Sequence, residues 1–384
     1  MADHFTETTH QGFGSRFANS FAGLVIGPLL VIGAIVLLWW NEGRAVQAIV
    51  GLKDAASQVV EADASGPSPA NAEKLVHVVG PATAEAPIQD PDVGITFAGQ
   101  VALARTAEMY QWKETKKEET KEELGGGTTT TTTYDYSREW SDDPINSSAF
   151  RYPDGHQNPD LPFRSKRFSA SDAKLGGWRL DAGTLDRIAL SETLTPAAPA
   201  GWTLSGDNYY RGDPASPKVG DMRVRYAGLP TGTTISILAM QSGDGFGVFT
   251  AKNGYQLELA ELGDLNAAEL IEHKRKAAAI LTWILRGVGT LVMFVGFAVF
   301  LAPLSTLASV IPLLGSMVRG AVGLVALALA IPTSLLVIAF AWLAYRPLIG
   351  GALILLAAAT GYGLWRWRKS RGPAPAPTAP AQAG

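Results

Sequence analysis

At 384 residues, with 47% hydrophobic and 17% charged side chains, the chain is more apolar and less charged than an average soluble protein. A formal charge of −3 gives no reason to expect nucleic acid as a partner. The absence of cysteine removes disulfides, thiol catalysis and cysteine-held metals from consideration.

Residues 1–20 are polar and read as a cytoplasmic tail. The apolar run Phe21–Trp40 has the length of about 20 residues that a helix needs to cross hydrocarbon. It closes on Trp39-Trp40-Asn41-Glu42 with no small-residue cleavage site, so residues 21–40 are predicted to be an uncleaved first transmembrane helix. Gly23 and Gly27 stand four apart, the close-packing spacing of associating membrane helices.

Residues 41–276 then form one large insert on a single side of the bilayer. It opens with an amphipathic helix predicted over 43–62, followed by a Ser/Pro/Gly linker. Strands are predicted at Leu75–Val79, in Ile95–Lys116 and at Thr128–Trp140, with the charged run Lys113–Glu123 and Gly125-Gly126-Gly127 as a hairpin tip. Pro144–Ser171 reads as irregular and Asp181–Leu190 as a short helix; strand signals resume at Met222–Tyr226, Thr234–Met240, Gly247–Thr250 and Tyr255–Glu258. The two strand groups, about 73–143 and 175–262, fit either a pair of small α+β units with antiparallel sheets or one domain. A membrane-proximal helix over 265–276 runs into the second span.

That span, 277–302, carries only Arg286 as a charge and is stopped by Pro303. Residues 303–320 are apolar but broken by Ser305, Thr306, Ser309 and Pro312, and read as an interfacial or re-entrant connection. The third span, 321–344, is uncharged; Thr333 and Ser334 stand beside Pro332, where their hydroxyls could satisfy the carbonyl that the proline frees. Tyr345-Arg346-Pro347 forms a tight turn into a fourth span at 348–365, and 366–384 is a basic, Pro/Ala-rich disordered tail. For Arg286 and Arg319, near span ends, snorkelling to headgroups is expected; the alternative is a charge that pairs with a partner or lines a pore. Arg366, Arg368, Lys369 and Arg371 place the tail in the cytoplasm by the positive-inside tendency, which makes both termini cytoplasmic and the insert extracytoplasmic. His273-Lys274-Arg275-Lys276 on the insert side argues the other way, but long translocated domains follow the charge rule poorly. The fold class is a multi-pass α-helical membrane protein with four transmembrane helices and a large α+β extracytoplasmic insert.

No catalytic, cofactor-binding or metal-binding set is expected. His4, His10, His77, His156 and His273 lack the spacing of a zinc site, His77 reads as a packed or surface residue of a strand, and His156 as part of a loop. Gly125-Gly126-Gly127 lacks the strand, helix and lysine of a phosphate loop.

Several local motifs together resemble one family. They are Asn41-Glu42-Gly43-Arg44-Ala45, Leu75-Val76-His77-Val78-Val79-Gly80, Glu108-Met109-Tyr110-Gln111-Trp112, Val219-Gly220-Asp221, Tyr226-Ala227-Gly228-Leu229, Thr282-Trp283 with Arg286, Thr333-Ser334-Leu335 and Tyr345-Arg346-Pro347-Leu348. In this order they resemble transmembrane protein 43, also called LUMA, over nearly the whole chain. The resemblance implies four spans, cytosolic termini and a large luminal loop compared with tandem BRICHOS-like modules. Animal members are associated with the endoplasmic reticulum and inner nuclear membrane, bind lamins and emerin, and self-associate; a channel role has also been proposed for them. The Ala/Gly-rich composition gives this copy a bacterial character, so a bacterial inner membrane with a periplasmic insert is expected, and no lamina. The expected function is a non-enzymatic, homo-oligomeric scaffold that organises other membrane proteins in the lipid bilayer. The alternative is an ion channel or channel-modulating subunit, and an extracytoplasmic hydrolase is less favoured. The positions that carry the packing or the family motif are Gly23, Gly27, Asn41, Glu42, Gly43, Arg44, Arg286, Pro332, Ser334, Arg346 and Pro347.

Overall fold

The computed structural model describes residues 3–123, 125–190, 192–308 and 312–346, together with Tyr362 and Arg366. Within them, three helices are long and apolar enough to cross a membrane. The predicted fourth span at 348–365 lies outside the described residues apart from Tyr362.

The first long helix does not stop where its apolar run ends. Gly23–Ala56 is one unbroken helix, so the predicted amphipathic helix over 43–62 is its upper half, and the chain turns only at Ser57 before the short strand Val60–Glu61. The second, Ala267–Phe300, likewise joins the predicted 265–276 helix to the span in one piece. Its start is fixed by a capping box, in which the Asn266 side chain accepts from the Glu269 amide while the Glu269 carboxylate accepts from the Asn266 amide. A short helix, Ala302–Ala308, follows, and the third long helix already begins at Pro312 and runs to Tyr345. Of the connection predicted over 303–320, the part up to Ala308 is therefore helical and the part from Pro312 belongs to the third helix. Val25, Leu29, Val36, Leu291, Leu324 and Leu335 face outward from these helices, an apolar surface suited to lipid.

The described residues form an eight-stranded sheet, to which Asp3–Gln11 contributes from ahead of the first long helix, a seven-stranded sheet and two two-stranded ones. The first runs in the order Asp3–Gln11, Thr128–Ser141, Gln100–Glu122, Met222–Pro230, Asn208–Arg211, Thr203–Ser205, with Lys166–Ser169 paired to Gln100–Glu122 and Glu192–Leu194 to Met222–Pro230. In the second, Thr234–Ser242 pairs antiparallel with Leu75–Thr83, Gly245–Gly247 and Leu259–Leu262. Each large sheet thus mixes strands from the 73–143 stretch with strands from 175–262. One core of Val76, Val101, Leu103, Leu175, Trp178, Tyr226 and Ile237 draws on both sheets. The two stretches interleave in a shared fold instead of forming separate units, because each leaves apolar strand faces that only the other covers.

A polar network is sunk in this core. Arg105 Nη1 reaches both oxygens of Asp90 at 2.6 and 2.7 Å while Nη2 donates to Asp92 and the Arg164 carbonyl, and the Tyr226 hydroxyl donates to Asp90 at 2.6 Å. Both charged groups are buried, so each leans on the other for the solvation it has lost.

Two local expectations change. The charged run after Lys113 is strand, not tip: Gln100–Glu122 stays extended, and the turn is made by Gly125 and Gly126 at φ 89 and 83°. The N-terminal segment is also structured. Asp3–Gln11 forms the edge strand beside Thr128–Ser141 in a nine-pair ladder, and Phe13–Ser20 is helical. The β-forming threonine tract supplies the partner strand. The polar residues ahead of the first span thus carry a strand and a helix, which the sequence reading did not anticipate.

Two measurements follow. In this cysteine-free chain, Thr6→Cys with the directly opposite Thr133→Cys should close a disulfide under mild oxidation, read by non-reducing electrophoresis; the offset pair Thr6→Cys with Thr130→Cys should not. Burial pushes the Tyr209 phenol up to about 12 from an ordinary 10.0, so folding favours its neutral form. That contribution is complete below the unfolded value and is lost as pH rises from 10.0 to about 12. Far-UV circular dichroism should show stability falling across that window, and the loss should be smaller in Tyr209→Phe.

Candidate functional site

The three long helices meet at the upper boundary of the membrane bundle around one carboxylate. Glu42 follows the apolar run of the first helix and is 1% exposed. Its two oxygens accept from Arg286 Nε at 2.7 Å and Nη2 at 2.8 Å, from the second helix. Trp342 Nε1, from the third helix, donates to the same carboxylate at 2.7 Å. The Arg286 guanidinium lies over the Trp283 ring at 4.7 Å and near the Trp342 ring at 5.9 Å, while Arg346 covers Trp342 at 5.4 Å. A buried carboxylate that accepts a bidentate arginine and an indole recovers most of the hydrogen bonds it gave up to water. Arg286 therefore pairs within the chain; the snorkelling role is replaced by the partner-pairing one, because an acidic acceptor sits within reach at the same depth.

A second polar layer adjoins it. Asn41 Nδ2 donates to the Thr282 carbonyl at 3.1 Å, and Arg44 Nη2 donates to Asn41 Oδ1 at 3.2 Å and to Thr282 Oγ1 at 3.0 Å. Gly43 is required by contact: a Cβ there would lie 2.7 Å from the Tyr345 ring.

The glycine pair is used inside the chain. A Cβ on Gly23 would meet the Val299 carbonyl oxygen at 2.3 Å, and one on Gly27 the Gly296 oxygen at 2.7 Å. Their spacing lets the first and second helices approach backbone to backbone, which commits this stripe to intramolecular packing. Pro332 sits within the third helix, and Ser334, 2% exposed, donates to Met293 Sδ at 3.3 Å across to the second helix. Pro347 lies outside the described residues. The structure thus gathers Asn41, Glu42, Gly43, Arg44, Arg286 and Arg346 into one boundary layer, and leaves Gly23, Gly27, Pro332 and Ser334 deeper in the bundle.

Trp342 is the member of this layer that the sequence reading passed over; a tryptophan near a span end reads as an interfacial anchor, and only the fold shows its N–H aimed at Glu42. The two buried histidines act as brackets. His77 Nδ1 lies 2.6 Å from Glu61 and its Nε2 lies 2.9 Å from the Leu265 carbonyl, so the ring joins the exit of the first helix to the entrance of the second. His156 bridges the Tyr152 carbonyl and Asp3 at 2.9 and 3.0 Å and stacks on Tyr136 at 4.0 Å. Among the described residues, no group of three or more His, Cys, Asp or Glu is placed to hold a metal ion.

The family model described as Transmembrane protein 43 matches residues 109–347. Transmembrane protein 43 of Mus musculus is 32% identical over 361 residues, 89% of this chain and 89% of its own length; the Homo sapiens protein gives the same identity and coverage. The Transmembrane protein 43 homolog of Drosophila melanogaster is 29% identical over 350 residues, 88% of this chain and 92% of its own. No solved structure matches the chain.

Removing one partner of the Glu42–Arg286 pair leaves the other charge buried and uncompensated, which costs about 3–5 kcal/mol. Arg286→Met should therefore unfold the detergent-solubilised protein at markedly lower temperature. The double variant Glu42→Gln with Arg286→Met should recover part of the loss, and the double-mutant cycle should show strong coupling.

Proposed function

We propose that this chain, which belongs to the transmembrane protein 43 family, is a non-enzymatic membrane scaffold that presents its sheet-rich insert rigidly at one face of the bilayer. The observation that carries this reading is the mounting of the insert. The first and second long helices continue from the membrane bundle into the insert, where Leu52, Ala55 and Leu270 pack with Leu75, Leu238 and Leu257. No loop intervenes, and the Glu42–Arg286–Trp342 clasp fixes the three helices just below. A platform with so little freedom relative to the membrane suits the holding of other membrane proteins in fixed register, and self-association would multiply its binding positions.

On this reading the partners are the lipid bilayer, further copies of the chain and other integral membrane proteins. The insert faces the periplasm of a bacterial inner membrane, with the basic cluster Arg366, Arg368, Lys369 and Arg371 on the cytoplasmic side. The channel alternative leans on Pro332, Thr333 and Ser334, but the Ser334 hydroxyl is turned into a contact with Met293. Glu42, the acidic group nearest the bundle, is fully engaged by Arg286 and Trp342.

In-cell cross-linking with identification of captured neighbours tests the proposal. The expected result is self-adducts together with a reproducible set of integral membrane proteins. A monomer that captures none, or conductance above empty vesicles in liposome flux, overturns it.

A further inference from the structure

Arg44 is a cation left over at the membrane boundary. Its neighbour Glu42 is taken by Arg286 and Trp342, and the bonds of Arg44 go to the neutral oxygens of Asn41 and Thr282. Its Nε is buried with no hydrogen-bond partner, and among the described residues no carboxylate forms an ion pair with it. A cation held in such a place favours an anion that the chain itself does not supply.

The surroundings say which anion. Arg44 lines a cavity of about 570 Å³ together with Trp40, Gln47, Val50, Asn253 and Tyr345. Trp40 and Tyr345 stand at the level where the apolar helix surfaces give way to the insert, the depth at which aromatic side chains and lipid headgroups meet. Beside this cavity, on the bundle side, the first and third helices leave an apolar groove of about 550 Å³ lined by Ile35, Trp39, Val337 and Phe340. Trp39 packs against Tyr345 at 5.9 Å, which makes the polar cavity and the apolar groove neighbours. A charged compartment beside a greasy one has the shape of a phospholipid, whereas a free phosphate would use only the first.

We infer that Arg44 binds the phosphate of an anionic phospholipid in this cavity, with an acyl chain of the same lipid lying in the groove between the first and third helices. The Nη2 bonds to Asn41 and Thr282 hold the guanidinium in place and leave Nη1 as the nitrogen with hydrogens to donate to a phosphate oxygen. Phosphatidylcholine carries the same phosphate but sets a cationic choline beside the arginine, so anionic headgroups are preferred.

The test is native mass spectrometry of the full-length protein in detergent, titrated with dioleoylphosphatidylglycerol, dioleoylphosphatidylcholine or inorganic phosphate. The wild type should hold phosphatidylglycerol about tenfold more tightly than phosphatidylcholine. Arg44→Gln should erase that preference, and Val50→Trp, which fills the cavity without touching the arginine, should weaken binding of both lipids. Inorganic phosphate should not displace the lipid. Retained preference in Arg44→Gln, undiminished binding in Val50→Trp, or displacement by inorganic phosphate each overturns the assignment. Val50→Trp decides the matter by itself should Arg44→Gln fail to fold.

Discussion

A carboxylate buried where three apolar helices converge imposes conditions on everything near it. Glu42 is tolerable there only because Arg286 meets both of its oxygens and Trp342 adds a third donor. Those donors come from the two other long helices, so satisfying one charge fixes the depth of the second and third helices relative to the first. Apolar packing alone specifies such registers weakly, since sliding one greasy helix along another by a turn exchanges similar contacts. The ion pair removes that freedom. Lower in the bundle the same selection is made sterically, where Gly23 and Gly27 meet Val299 and Gly296 with no room for a side chain.

The clasp also sets the attitude of the insert. Because the first and second helices are continuous with the segments that enter its core, an angle fixed at Glu42 is transmitted to Leu52, Ala55 and Leu270 above. His77 repeats the tie one level higher, with Glu61 on one ring nitrogen and Leu265 on the other. The insert is therefore attached by two helices, a histidine bridge and a packed core. This is the arrangement expected of a part whose position matters more than its motion.

A buried Arg105–Asp90–Tyr226 network lies farther from the membrane and follows the same rule. Arg105 lies only 15 positions from Asp90, but the bond from Tyr226 spans 136 positions of chain. Polar groups in both places are retained inside by mutual satisfaction, and in both the sequence shows the charge without showing its partner.

By itself the sequence determined the three apolar spans that the structure describes, the place of the insert between the first two, most of its strands and the family. Run length, alternation and motif order are local properties that survive reading in one dimension. It also marked Asn41-Glu42-Gly43-Arg44 and Arg286 as positions of interest, though it could not join them. The tertiary structure decided the rest. It paired Arg286 with Glu42 across 244 positions, interleaved the two strand groups, and drew Asp3–Gln11 into a ladder with the threonine tract. It also recruited Trp342 to the clasp. These are contacts between distant segments, and such contacts form because burying a charge, an apolar strand face or an open strand edge demands a partner wherever the folded chain can bring one.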